Sequence, residues 1–210
     1  LLFGAGLCDR DAPSQILGRV GAGGGSVDAL GNNAGYGVPT VYAASNWDTQ
    51  MNFLQVMTVA PCELTHKVLT GMIERRFGRI VQVASLAGLI PGTPGATLYS
   101  ASKAFLVKFA QSLHLETRES GVHVSALCPG MTYSEFHDVT QNREEVSAMF
   151  PGWLWMGADE VAAAGYEAAE ANRAICVPGA PNKAIAALGK MAPDEWLTAL
   201  LSGRAQNLRK

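Results

Sequence analysis

The sequence predicts an α/β chain built as a doubly wound parallel sheet with helices on both faces. Short apolar, β-branched segments alternate with longer stretches of helical period, the order expected of βαβ units. The clearest strands run into loops rich in Asn, Ser, Gly or Pro. With 210 residues, 48 % of them apolar, the chain is long enough for one substantial core and too short for two comfortable domains, so residues 1–210 are expected to form a single domain.

Along the chain, residues 1–7 read as a possible strand and 12–20 as a helix. Residues 27–30 read as a strand ending in the polar turn Asn32-Asn33-Ala34-Gly35, followed by a long helical stretch over 47–76. Residues 79–84, Arg-Ile-Val-Gln-Val-Ala, are β-branched between a Gly and a Ser/Gly/Pro loop and predict a buried strand. Residues 97–119 are helical by period, and 122–127 form a further strand stopped by Pro129-Gly130. An irregular apolar stretch follows at 148–156, then a helix at 159–171, a short strand at 174–177 and a helical tail. Parallel strands joined by helices bring ligands to their carboxyl ends, so the loops after Leu30, Ala84 and Leu127 should share one crevice.

A formal charge of −2 with mixed signs provides no broad field for nucleic acid or an anionic membrane, which leaves a small molecule or another protein as partner. Cys8, Cys62, Cys128 and Cys176 are far apart, and His66, His114, His123 and His137 show no metal-ligand spacing. Neither a metal site nor a disulfide framework is expected, and a reducing cytoplasmic compartment fits. No apolar run reaches the roughly 18 residues that would span a bilayer. Residues 1–7 lack a basic leader, and a first residue of Leu hints at a longer reading frame.

The chemistry points to Tyr99 and Lys103. Four apart on one helix, they project from the same face within reach of a shared ligand. A free phenol with a pKa of about 10 exchanges protons poorly at neutral pH, but a nearby cation favours the phenolate and lowers that value. Such a tyrosine becomes a general acid/base for a carbonyl/alcohol pair. Ser85 follows the 79–84 strand at the same edge, where its hydroxyl can hold a substrate oxygen.

The segment Tyr99 to Phe105, Tyr-Ser-Ala-Ser-Lys-Ala-Phe, preceded by Gly-Arg-Ile-Val-Gln-Val-Ala-Ser at 78–85, resembles the short-chain dehydrogenase/reductase family. Asn32-Asn33-Ala34-Gly35 is similar to that family's sheet-loop motif, and Cys128-Pro129-Gly130 with Ser134 resembles its segment beside the nicotinamide. Asp9 stands where members carry an acid near the adenine. The matches come in family order and cover nearly all of the chain.

The resemblance implies a Rossmann-like sheet and reversible hydride transfer between NAD or NADP and a carbonyl or secondary alcohol. Tyr99 would be the acid/base, Lys103 would hold the ribose hydroxyls and depress the tyrosine pKa, and Ser85 would orient substrate. Asp9, Asn32, Asn33, Ala34, Gly35, Pro129, Gly130 and Ser134 would contact the cofactor together with Tyr99 and Lys103. It also implies a homo-dimer or tetramer through helices 47–76 and 97–119, and a substrate lid near Met149 to Met156, whose tryptophans either line a pocket or pack on the surface. The preference between NAD and NADP and the substrate's identity are not readable.

Two departures stand out. The family's opening T-G-x-x-x-G-x-G has no counterpart: Gly4-Ala5-Gly6 and the run Gly21 to Gly25 read as loop glycines, and residues 1–9 correspond to the third strand, so the first βαβ unit is expected to be missing. Met57 replaces an asparagine that helps hold a relay water. Pro61, four residues on, has no N–H for the Met57 carbonyl, so the helix should kink there. Either the freed carbonyl takes over the relay or the change is a neutral one of packing. These departures keep open a second class of reading, a catalytically silent homologue that dimerises as a scaffold.

Overall fold

The computed structural model describes residues 4–38, 40–93, 95–136, 150–192 and 195. Among them, β1 (Ala29–Asn32), β2 (Gly78–Val83), β3 (Val122–Leu127) and β6 (Ile175–Cys176) form a parallel sheet in the order β1-β2-β3-β6. A second, two-stranded parallel sheet pairs β4 (Thr132–Tyr133) with β5 (Met156–Gly157). The helices are α1 (Ala12–Ala22), α2 (Trp47–Leu54), α3 (Ala60–Glu74), α4 (Thr97–Glu116), α5 (Ala158–Glu170) and α6 (Ala180–Met191).

The burial of β2 and β3 explains their sequences. All but one of the β3 side chains from Val122 to Leu127 are buried, as a parallel strand covered on both faces requires. Ile80, Val122, Val124 and Ala126 meet Met72 of α3 and Leu106 and Ala110 of α4 in one core. Each large aliphatic side chain buried there contributes roughly 2 kcal/mol. Gly78 opens β2 because Met72 passes so close that an added Cβ would lie 2.8 Å from its Cβ.

Several expectations shift. The strand expected over 1–7 is absent from its described part, since residues 4–6 are irregular and a turn follows, with Asp9 N–H donating to Gly6 O at 2.9 Å. Gly-Ala-Gly packs too little side chain to favour a strand, and the outer edge of β1 carries no pairing among the described residues. The strand expected at 27–30 runs instead from Ala29 to Asn32, which draws the first motif asparagine into the sheet.

The regular helix is interrupted just before Pro61. A π-helical segment, Gln55–Val59, separates α2 from α3, and Pro61 occupies the first turn of α3, where a missing N–H costs nothing. The glycines at 21–25 end α1, with Gly24 in the left-handed region at φ +71°. No described helix is long and apolar enough to cross a membrane.

Candidate active site

Ser85 is placed by the sheet. The Ala84 N–H donates to Leu127 O at 2.7 Å and the Leu86 N–H to Pro129 O at 2.8 Å, so the loop after β2 is strapped to the end of β3 on either side of the serine. Ser85 then caps the 3-10 turn Leu86–Gly88, its Oγ accepting the Ala87 N–H at 3.1 Å. With a lone pair used in that way, the hydroxyl proton remains available to a neighbour, and the hydroxyl favours the ionised form of the nearby Tyr99 phenol.

Tyr99 and Lys103 lie on α4, which approaches this loop because Gly88 has no side chain. A Cβ at Gly88 would stand 2.6 Å from the Lys103 carbonyl carbon and 2.8 Å from the Ala104 nitrogen. The Lys103 ammonium sits 5.7 Å from the Tyr99 ring centroid and donates to Val83 O at 2.7 Å. Tyr99 also meets Phe136, at 5.8 Å between ring centroids. The three groups expected to act together therefore converge at one edge of the sheet.

Their electrostatics differ from the sequence expectation in one respect. Burial raises the Tyr99 phenol above its ordinary value, and the Ser85 hydrogen bond opposes this with a smaller lowering. The lysine was expected to depress the phenol, but it lies over the ring and bonds a strand carbonyl, so desolvation of the phenolate dominates. Lys103 itself, only 5 % exposed, is lowered to about 8 by burial, with the nearby Cys128 opposing.

The expected cofactor residues divide into groups. Asn32 Nδ2 donates to Gln82 Oε1 at 3.0 Å, Thr65 Oγ1 at 3.1 Å and Pro61 O at 3.2 Å. Gln82 Nε2 also donates to Thr65 Oγ1, at 2.9 Å. The Asn32 side chain is thus a buried tie between β1, β2 and α3. Asn33, Ala34 and Gly35 are exposed in the loop beyond, where a Cβ on Gly35 would lie 2.9 Å from Met57 Sδ. Pro129 and Gly130 stand beside the Ser85 loop, and Ser134 Oγ accepts the Phe136 N–H at 3.4 Å. Asp9 is exposed in the turn before α1, accepting the Asp11 N–H at 3.0 Å.

The tryptophans of the 148–156 stretch separate as well. Trp153 is exposed, whereas Trp155 is buried, stacks on Tyr133 at 4.9 Å and donates from Nε1 to Phe150 O at 3.3 Å. Residues 148 and 149, His137 and the 204–210 tail lie outside the described residues. His114 and His123 bond backbone carbonyls, and no group of three or more metal-ligating side chains occurs among the described residues. Sequence reading missed Gly88, Phe136 and the Val83 carbonyl. Only Gly88 left a local trace, a glycine three residues after the serine.

The family model described as short chain dehydrogenase matches residues 2–145. The chain belongs to the short chain dehydrogenase family. Curated short chain dehydrogenase relatives include Nodulation protein G of Rhizobium meliloti (strain 1021), 36 % identical over 151 residues, covering 70 % of this chain and 60 % of that protein. Another is the 3-oxoacyl-[acyl-carrier-protein] reductase FabG of Haemophilus influenzae, 27 % identical, covering 67 % of this chain and 58 % of that one. The chain thus spans about 60 % of the length of these relatives.

Among solved structures, a short-chain dehydrogenase from Sphingobium yanoikuyae in complex with NADPH superposes with a TM-score of 0.72 at 23 % identity, covering 97 % of this chain and 72 % of that one. A 7beta-hydroxysteroid dehydrogenase superposes with a TM-score of 0.78 at 16 % identity, covering 94 % and 74 %. At these identities the likeness is one of fold, and it establishes the Rossmann-like α/β architecture.

Proposed function

We propose that this chain carries the acid/base half of an NAD- or NADP-dependent oxidoreductase acting on a carbonyl or secondary alcohol. One observation carries the reading: the Tyr99 side chain lies near the Ser85 hydroxyl and is flanked by the buried Lys103 ammonium, 5.7 Å from its ring centroid, at a single sheet edge. The residues suit the nicotinamide riboside half of such a cofactor. Lys103 has three donors, one of which goes to Val83 O, and the others suit ribose hydroxyls. Asn33 to Gly35, Gly130 and Ser134 border the same edge. The pyrophosphate half has no match among the described residues, because α1 opens beside Asp9 and Asp11, whose charge opposes a phosphate.

A nicotinamide cofactor supplies or accepts the hydride. The chain's own residues manage the proton. In reduction, Ser85 holds the carbonyl oxygen and Tyr99 Oη gives it a proton as the carbon gains hydride, so C=O becomes CH–OH. The phenolate left behind is stabilised by the Ser85 hydroxyl and takes its proton back from solvent. A raised phenol keeps Tyr99 protonated at neutral pH, which favours reduction there and alcohol oxidation at alkaline pH.

Beside Tyr99, a small recess is lined by polar and apolar side chains together, among them Val38, Thr40, Tyr42, Gln50, Phe53 and Leu98. On the outer side of α4, an apolar groove of about 650 Å³ includes Leu54, Val59, Leu98 and Phe105. That groove supports assembly with a second copy of the chain.

Protein fluorescence titrated with NADH and with NADPH tests cofactor binding, and reduction of a panel of apolar ketones tests turnover. Binding with turnover that drops roughly 1,000-fold in Tyr99→Phe is expected. Full activity in Tyr99→Phe would overturn the assignment.

A further inference from the structure

β3 and β6 lie side by side, with Leu127 opposite Cys176, and a Pro-Gly pair follows each: Pro129-Gly130 and Pro178-Gly179. Between the two turns sits the side chain of Asn182, from the first turn of α6 and only 3 % exposed. A Cβ on Gly130 would stand 2.6 Å from Asn182 Cγ and 2.7 Å from Nδ2. On Gly179, which holds φ at +82°, it would stand 3.3 Å from Asn182 Nδ2 and 2.8 Å from Met156 Sδ. Gly130 needs glycine because the amide already occupies the space a side chain would take, whereas Gly179 needs it for its positive φ and the close Met156 Sδ, with the amide also near.

The amide is also bonded in place. Asn182 Nδ2 donates to Pro178 O at 2.9 Å and lies 3.8 Å from Met156 Sδ. Met156 pairs with Thr132 across β4 and β5, and the Thr132 hydroxyl returns to Gly130 O at 3.2 Å. One buried side chain from the C-terminal helix thus touches both Pro-Gly turns and the small sheet that begins the Ser134 segment. A hydrophobic side chain of equal volume would fill the notch without a hydrogen bond to satisfy, so the choice of an amide favours a fixed orientation over simple packing.

We infer that Asn182 is a positioning residue for the Pro129-Gly130 turn and the segment through Ser134. The role rests on the proposed reading of that segment as part of the nicotinamide site. By holding the turn from behind, Asn182 sets where Gly130 and Ser134 stand relative to Ser85 and Tyr99, without touching the reacting atoms.

The test is a thermal-unfolding cycle over Gly130→Ala, Asn182→Ala and the double variant, combined with hydrogen exchange of the 130–136 amides in Asn182→Leu. Gly130→Ala should lower Tm, and adding Asn182→Ala should restore part of that loss because the blocking amide is gone. Asn182→Leu keeps the volume, folds, and should exchange those amides roughly tenfold faster. In an active parent it should raise the cofactor KM roughly tenfold while the pH profile set by Tyr99 and Lys103 holds. Additive Tm losses with unchanged exchange would overturn the inference, whatever the parent's activity. Coupling and faster exchange in a parent that binds no nicotinamide would support the positioning of the turn and count against the enzyme reading.

Discussion

Gly88 rests directly on the backbone of Lys103, so close that a Cβ there would lie 2.7 Å from the Lys103 carbonyl oxygen. This contact lets the Ser85 loop reach the face of α4 that carries Tyr99. Gly88→Ala should push the loop from the helix and cost about 1–3 kcal/mol, the range for overpacking a tight contact. Urea unfolding measures it, and a midpoint equal to the parent's would show that the two segments are not pressed together.

Asn32 should behave as a structural residue. Asn32→Ala leaves Gln82 Oε1 without that donor inside the sheet, and the expected loss is about 2 kcal/mol. Nicotinamide affinity at a temperature where the variant is folded should stay near the parent's. A large loss of affinity without a loss of stability would return the side chain to the cofactor site.

Lys103 costs the fold stability at neutral pH. Burial lowers it from 10.5 to about 8, so the unfolded chain binds the proton more tightly than the folded one. Below pH 8 both states carry the charge and the folded state bears the full cost, about 3 kcal/mol. Between pH 8 and 10.5 that cost fades as pH rises. Lys103→Met should therefore be inactive yet melt higher than the parent at pH 7, with the gap narrowing by pH 10. A lower Tm at pH 7 would contradict the burial cost.

The π-helical segment before Pro61 bears on the proton relay. Pro61→Ala supplies a backbone N–H at the position that interrupts the helix. If the Met57 carbonyl serves the relay, kcat should fall severalfold with the cofactor KM unchanged. Steady-state kinetics in a protein that includes the family's glycine-rich unit decides it, and an unchanged kcat would leave Met57 as packing against Gly35.

The meeting of Tyr99, Lys103 and Ser85 could be read from the sequence because its signal is local: one helical turn separates Tyr99 from Lys103, and an apolar strand leads into Ser85. The part that failed depends on distance across the fold. The buried bonds of Asn32 went unread because the strand runs two residues further than its apolar pattern suggests. The direction of the Tyr99 shift depends on burial under Phe136 and on where the lysine points, and a one-dimensional spacing carries neither. The tie between Gly130 and Asn182 joins residues about fifty apart in sequence, with no local pattern to announce it.

The most direct test of the central claim is a tyrosine ring-carbon NMR titration that follows Tyr99 in the parent and in Ser85→Ala. The account predicts that Tyr99 titrates above an ordinary phenol in the parent and higher still once the Ser85 hydrogen bond is lost. A Tyr99 that titrates like an exposed tyrosine, and does not respond to the loss of Ser85, would contradict the coupled acid/base site.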